Sequence, residues 1–216
     1  RAGNYFGRQV KRLSAVSDTQ AEDAEPIPDK AELVEMLARG LEAAGGDAEA
    51  SLIHGDFKID NLVFSKAGGP IEVIAVLDWE LATIGHPMAD VANCSMIYHL
   101  PRLEGSPLQG LVGADLDELG IPDDVEFARL YCAAARPSRA HPDPHWRFAL
   151  AFLFFKNAVI AQGVASRAAR GVASSSFAGD VAIMVPFLAQ TAVEFLAEQE
   201  EEQRRGGGAG SRRSRL

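Results

Sequence analysis

Apolar side chains at Tyr5, Phe6, Val10 and Leu13 recur among basic residues at helical spacing, so 4–14 is predicted as an amphipathic helix. The acidic stretch 15–28 ends in Pro26 and Pro28 and reads as a loop. Asp29 is placed to cap a second helix carrying Leu33, Val34, Leu37 and Leu41, stopped by Gly45 and Gly46. The texture then changes. Residues 51–53, 62–64 and 71–77 are short apolar runs of strand length. The turn-forming Lys66-Ala67-Gly68-Gly69-Pro70 joins the second run to the third, which predicts a hairpin. Beyond Asp78 the pattern turns helical and stays so. Pro87 suits a first helical turn leading through Val91, Cys94 and Ile97, and further helices are expected over 123–135, 145–169 and 175–203. Residues 101–122 and 136–144 hold most of the remaining prolines and glycines and read as loops. The fold class that follows is α+β, mostly helical, with a few strands inserted.

Composition narrows the partners. The formal charge of −9 argues against nucleic acid, whose phosphates need a basic surface. The charge is uneven, because the thirteen residues from Arg204 carry five arginines and no acid; 204–216 is expected to be a disordered basic tail after a folded body over 1–203. The most apolar stretch, 148–165, contains Lys156, Asn157 and Gln162, so it reads as a buried helix rather than a membrane span. Cys94 and Cys132 lie far apart and away from any histidine at ligand spacing, which predicts buried thiols in a reducing compartment.

The chemistry concentrates in His54-Gly55-Asp56-Phe57-Lys58-Ile59-Asp60-Asn61, between two predicted strands, with Asp78 at the end of the next apolar run in Val76-Leu77-Asp78-Trp79-Glu80. Phosphoryl transfer needs positioning and charge neutralisation more than covalent help. One carboxylate must orient the attacking hydroxyl and take its proton, while an amide and a second carboxylate hold magnesium against the phosphate. Kinase catalytic loops place the base five residues before the amide ligand, as Asp56 and Asn61 stand here, and Lys58 occupies the position of a basic residue that balances phosphate charge. A hairpin would bring Asp78 beside them.

Each residue also has a plainer role. Asp56 and Asn61 are both common turn formers. His54 is better suited to bracing the loop by hydrogen bonds than to exchanging protons, and Asp60 is equally a solvated carboxylate or a functional one. Asp90 falls in a first helical turn, where negative charge is favoured, and reads as mainly structural. Trp79 reads as packing beside the second carboxylate, and Phe152, Phe154 and Phe155 as core. His141 and His145 have the spacing of a helical zinc pair, but Pro142 and Pro144 argue against the helix.

The stretch from His54 to Phe64, then Ala75-Val76-Leu77-Asp78-Trp79-Glu80-Leu81-Ala82-Thr83-Ile84-Gly85 and Ala89-Asp90-Val91-Ala92, resembles the aminoglycoside phosphotransferase-like superfamily, which shares the protein kinase fold. Within it the sequence is most similar to kinase-like domains beside or fused to acyl-CoA dehydrogenases; Asn4-Tyr5-Phe6 and Arg8-Gln9-Val10-Lys11-Arg12 extend the likeness to an early helix. The resemblance implies a kinase-like C-terminal lobe whose short hairpin region carries the catalytic loop. It implies Asp56 as catalytic base, Lys58 and His54 as its companions, and Asn61 and Asp78 as ligands of Mg2+ and, through it, of ATP. It implies transfer of the γ-phosphate to a small-molecule hydroxyl, for this subgroup a hydroxylated acyl chain such as a hydroxyacyl-CoA, with an acyl-CoA dehydrogenase as a partner. Two positions depart from the subgroup: His86 stands where an acidic residue is usual, and Lys58 where arginine is usual, keeping the charge without the planar fork.

The resemblance also sets up an expected absence. Nothing before Asp56 reads as several strands with a phosphate-covering loop and its lysine, so this chain is expected to lack the nucleotide lobe and, alone, to bind ATP poorly and turn over slowly or not at all. Two rival readings follow: a non-catalytic pseudokinase or scaffold module, against which the joint presence of Asp56, Asn61 and Asp78 speaks, and a magnesium-dependent hydrolase, which would release phosphate without an acceptor. The final Ser214-Arg215-Leu216 is a conservative variant of the peroxisomal address, with cytoplasm or mitochondrion as alternatives.

Overall fold

The computed structural model describes residues 3–66, 68–102, 110–135, 139–172 and 178–210. The chain forms two compact units: Asn4–Ala48 with Arg147–Leu216, and Glu49–Trp146 with Arg1–Gly3.

The first unit is helical. Its α1 spans Tyr5–Gln20 and α2 spans Lys30–Ala43; the long α6, Trp146–Ala169, and α7, Ala178–Gly210, complete it. Phe6, Leu33, Leu37, Phe148 and Leu196 are fully buried, with Phe6 meeting Phe148 and Phe152 edge-on at 4.9 and 5.0 Å. Helix α1 outruns its predicted end because Ser17, on its inward face, donates to Gln162 Oε1 at 2.7 Å, while Gln162 Nε2 donates to the Glu25 carbonyl. A polar pair satisfied inside the core is invisible to a reading that equates polarity with loop. Asp29 precedes α2 as expected, but its side chain makes no capping hydrogen bond and its φ is 48°. Helix α1 is instead capped from a distance, since Asp47 Oδ2 accepts from the Phe6 N–H at 2.6 Å.

Length and apolarity alone would let α6, and the Val181–Arg205 part of α7, cross a bilayer. Helix α6 instead buries its apolar surface in protein, with every residue of 148–155 buried, as befits a helix that is hydrophobic all round. Helix α7 continues through Arg204, where the sequence reading began a disordered tail; Glu200–Arg204 and Glu201–Arg205 pairs one turn apart carry it on. Ser214-Arg215-Leu216 lies outside the described residues.

The second unit holds the strands. In chain order they are β1 (Ser51–Ile53), β2 (Leu62–Phe64), β3 (Val73–Val76) and β4 (Thr83–Gly85). Strands β2 and β3 form the predicted antiparallel hairpin, with Leu62 opposite Val76. Strand β1 does not join it. It pairs antiparallel with β4, a strand in a region predicted as helical. Three residues, Thr83-Ile84-Gly85, are too few for any periodicity to register, and only β1's unpaired edge selects them. Helices α3 (Met88–Ser95), α4 (Leu116–Leu119) and α5 (Asp124–Ala134) follow, α4 lying in a stretch expected to be loop. The hairpin leaves Ile71, Val73, Ile74 and Leu77 in water.

A polar knot closes this unit. The Arg139 guanidinium donates to Glu49 and Asp143, and the His145 ring lies 4.3 Å from that of His86, which has no exposed surface. Burial, reinforced by the nearby His145, lowers His86 from an ordinary 6.5 to about 4, so its ring is neutral at pH 7. Burial alone would raise the Asp143 carboxyl, yet hydrogen bonds from His145 and Arg139 hold it below the usual range. The unfamiliar His86 thus serves as a packed neutral ring. Cys132 is buried, Cys94 only half so, and burial raises both thiols.

Candidate active site

Between β1 and β2 the chain turns sharply at Gly55, whose φ is +84° and where a Cβ would come within 2.5 Å of the Leu81 carbonyl oxygen. Only glycine tolerates both the left-handed backbone and that approach. The turn is pinned from α3: Asp90 accepts the His54 N–H at 2.6 Å on one carboxylate oxygen and the Gly55 N–H at 2.8 Å on the other. Its position in a first helical turn had suggested only a favourable charge; it clamps the loop's backbone with both oxygens.

The buried His54 braces the same turn. Its Nε2 lies 2.8 Å from the Leu77 carbonyl oxygen and its Nδ1 faces the Asp56 N–H at 3.3 Å. A carbonyl can only accept, so Nε2 carries the proton and Nδ1 accepts. Both nitrogens are engaged with backbone, an arrangement suited to support rather than proton exchange. Trp79 lies against the His54 ring at 4.7 Å, its Nε1 donating to the Val76 carbonyl, although it is half exposed.

Asp56 sits at the loop's apex with about a quarter of its side chain exposed. Its Oδ2 is 3.0 Å from the Lys58 ammonium and 3.4 Å from Asn61 Nδ2, which also donates to the Asp56 carbonyl at 2.8 Å. Its Oδ1 accepts from Asn93 Nδ2 at 3.3 Å, and the same amide donates to the Phe57 carbonyl at 3.0 Å. Asn93 went unnoticed in the sequence. The only available signal was its i, i+3 spacing from Asp90, which puts both on one face of α3.

Asn61 closes a short 3₁₀ turn, Ile59–Asn61, and its backbone carbonyl accepts from the Leu77 N–H at 2.8 Å. Asp78 is the next residue. The hairpin register therefore brings Asp78 to the same end of the ribbon as Asn61, in a left-handed conformation at φ 65° with an exposed side chain. Asp60 is exposed in the 3₁₀ turn. The donor chemistry fits a hard divalent cation. With Nδ2 committed to Asp56, Asn61 keeps Oδ1 as an acceptor, and Asp78 offers a carboxylate to solvent. Alongside lies a cavity of about 300 Å³ lined chiefly by apolar side chains, among them Phe57, Trp79, Val91, Cys94, Phe127 and Tyr131.

The model of a family described as "phosphotransferase enzyme family" matches residues 1–131. The chain belongs to the phosphotransferase enzyme family. A crystal structure from Ralstonia eutropha JMP134, of a protein provisionally named an aminoglycoside phosphotransferase, superposes on this phosphotransferase-family chain with a TM-score of 0.77 at 33% identity, covering 92% of the chain and 57% of its own. Human acyl-CoA dehydrogenase family member 11 is 41% identical over 88% of the chain, and mouse family member 10 is 36% identical over 91%. The Arabidopsis thaliana protein named a probable acyl-CoA dehydrogenase, IBR3, is 33% identical over 92%. The chain spans about a fifth of the length of these relatives: 23%, 17% and 24% respectively. The kinase-like fold expected from the loop motif is thus the fold of a family neighbour.

Proposed function

We propose that the full-length protein transfers the γ-phosphate of ATP to a hydroxyl on a small molecule, and that this chain supplies the base and the cation ligands. The observation that carries the reading is the Asp56 carboxylate, partly exposed at the apex of a loop pinned by Asp90, with Asn61 and Asp78 gathered at one end of the hairpin. Asp56 orients the acceptor hydroxyl and takes its proton as the oxygen attacks phosphorus. Asn61 Oδ1 and the Asp78 carboxylate would hold the cation. Bound magnesium–ATP supplies the phosphoryl group and neutralises charge on its oxygens. Lys58, 42% exposed and paired with Asp56 at 3.0 Å, would balance that charge. His54, Gly55 and Asp90 keep the loop from yielding.

The acceptor reading is a hydroxylated acyl chain such as a hydroxyacyl-CoA. The apolar cavity beside Phe57 supports it, as does the likeness to proteins named for acyl-CoA dehydrogenases, one of which would then be a partner in the same metabolism.

The deciding experiment supplies the full-length natural protein with magnesium–ATP and hydroxyacyl-CoA thioesters of graded chain length, and follows ADP and the phosphorylated product by mass spectrometry. Asp56→Asn should lower turnover by roughly a thousandfold while leaving the melting temperature in place. Phosphate release with no phosphorylated thioester would favour a hydrolase instead, and undiminished transfer by Asp56→Asn would remove the base assignment.

A further inference from the structure

We propose that Asn93 is the positioning residue that sets the orientation of the Asp56 carboxylate for phosphotransfer, an inference that rests on Asp56 being the base. A carboxylate on a turn can rotate about two side-chain bonds, and proton transfer is efficient only in a narrow range of orientations. Lys58, Asn61 and Asn93 each bring a side-chain donor to Asp56. Two of them, Lys58 and Asn61, belong to the same loop, act on the same oxygen and have other duties proposed for them. A role for Lys58 at phosphate charge and for Asn61 at the cation would let either contact loosen as the nucleotide engages.

Asn93 differs on every count. It stands on α3, whose inward face is fixed by the buried Met88, Val91, Ala92 and Ser95. It holds the opposite oxygen, Oδ1, at 3.3 Å. Its second contact, to the Phe57 carbonyl at 3.0 Å, ties the same amide to the backbone immediately after the base. One turn earlier on that helix, Asp90 fixes the two residues immediately before the base. The rigid helix therefore grips the loop on both sides of Asp56, and Asn93 alone among these four residues reaches the side chain from outside the loop. Removing its amide leaves the Asp90 clamp on the loop in place and takes away the hold that α3 has on Asp56 Oδ1.

The test uses the full-length protein and steady-state kinetics with magnesium–ATP, alongside an Asp56→Asn control. Asn93→Ala should lower kcat roughly tenfold to a hundredfold, the scale of one hydrogen bond to a charged acceptor, with KM for magnesium–ATP and the melting temperature unchanged. Asn93→Asp keeps the shape but sets a like charge against Oδ1, so it should be the worst variant, whereas a merely space-filling role would make it the mildest. Asn93→Ser, which retains a short donor, should recover part of kcat. A second readout needs no turnover: the Asn93 side-chain amide resonance should shift when Asp56→Ala removes its acceptor. Wild-type kcat in Asn93→Ala and Asn93→Asp with an inactive Asp56→Asn, or an Asn93 resonance indifferent to Asp56→Ala, would overturn the proposal while leaving the base assignment standing. An active Asp56→Asn would instead strike the base assignment itself.

Discussion

The helical unit buries 148–155 without an intervening polar side chain, while the site-bearing unit leaves Ile71, Ile74 and Leu52 in water and turns a set of directed hydrogen bonds on one loop. Along 148–155, dispersion and apolar burial define the shape, and another hydrophobic side chain of the right size would serve nearly as well. At the loop, few side chains are replaceable, because each contact has a direction: Asp90 to two backbone amides, His54 to a carbonyl and an amide, Asn93 to a carboxylate and a carbonyl. The contrast suggests a division of labour, with bulk stability in one unit and alignment in the other.

Three experiments break or sharpen that contrast. The largest effect is expected from Phe148→Ala in the helical unit, where a fully buried ring in edge contact with Phe6 is lost; stability should fall by about 3–5 kcal/mol in chemical denaturation. A loss below 1 kcal/mol would mean that this core is not tightly packed. Next, Asp90→Ala should cost roughly 3 kcal/mol and accelerate hydrogen exchange at the His54 and Gly55 amides before anything in the helical unit responds. Unchanged protection of those two amides would show that the loop holds without its clamp. The smallest effect is pH-dependent. His86 takes up its proton near 4 when folded and near 6.5 when unfolded, so the unfolded chain binds more protons between those values. Its contribution is complete above about pH 6.5 and is lost as pH falls toward 4, about 2 kcal/mol of it by pH 5. His86→Leu should flatten that slope; an unaltered slope would assign the acid sensitivity to other groups.

The sequence reading fared differently in the two units. Long helices were legible, α2 from its apolar period and α6 from a long apolar stretch broken by only a few polar residues. The β2–β3 hairpin was legible because turn residues bracket its strands. What escaped were features set by tertiary partners. Strand β4 exists because β1 offers it an edge, and the end of α1 is helical because Gln162 satisfies Ser17. At the site, the spacing of Asp56, Asn61 and Asp78 could be read directly. The roles of Asp90 and Asn93 could not, because a carboxylate or amide on a helix carries no mark of the loop it reaches.

The hairpin has a practical consequence. A ribbon of two strands has two bare margins, and this one also presents Val73 and Ile74 to water. Purified alone at high concentration, the chain should stick to itself along that ribbon. A lysine placed at Ile74 would be the first change to try for anyone preparing it for spectroscopy, because a charge there repels an incoming copy without touching the loop.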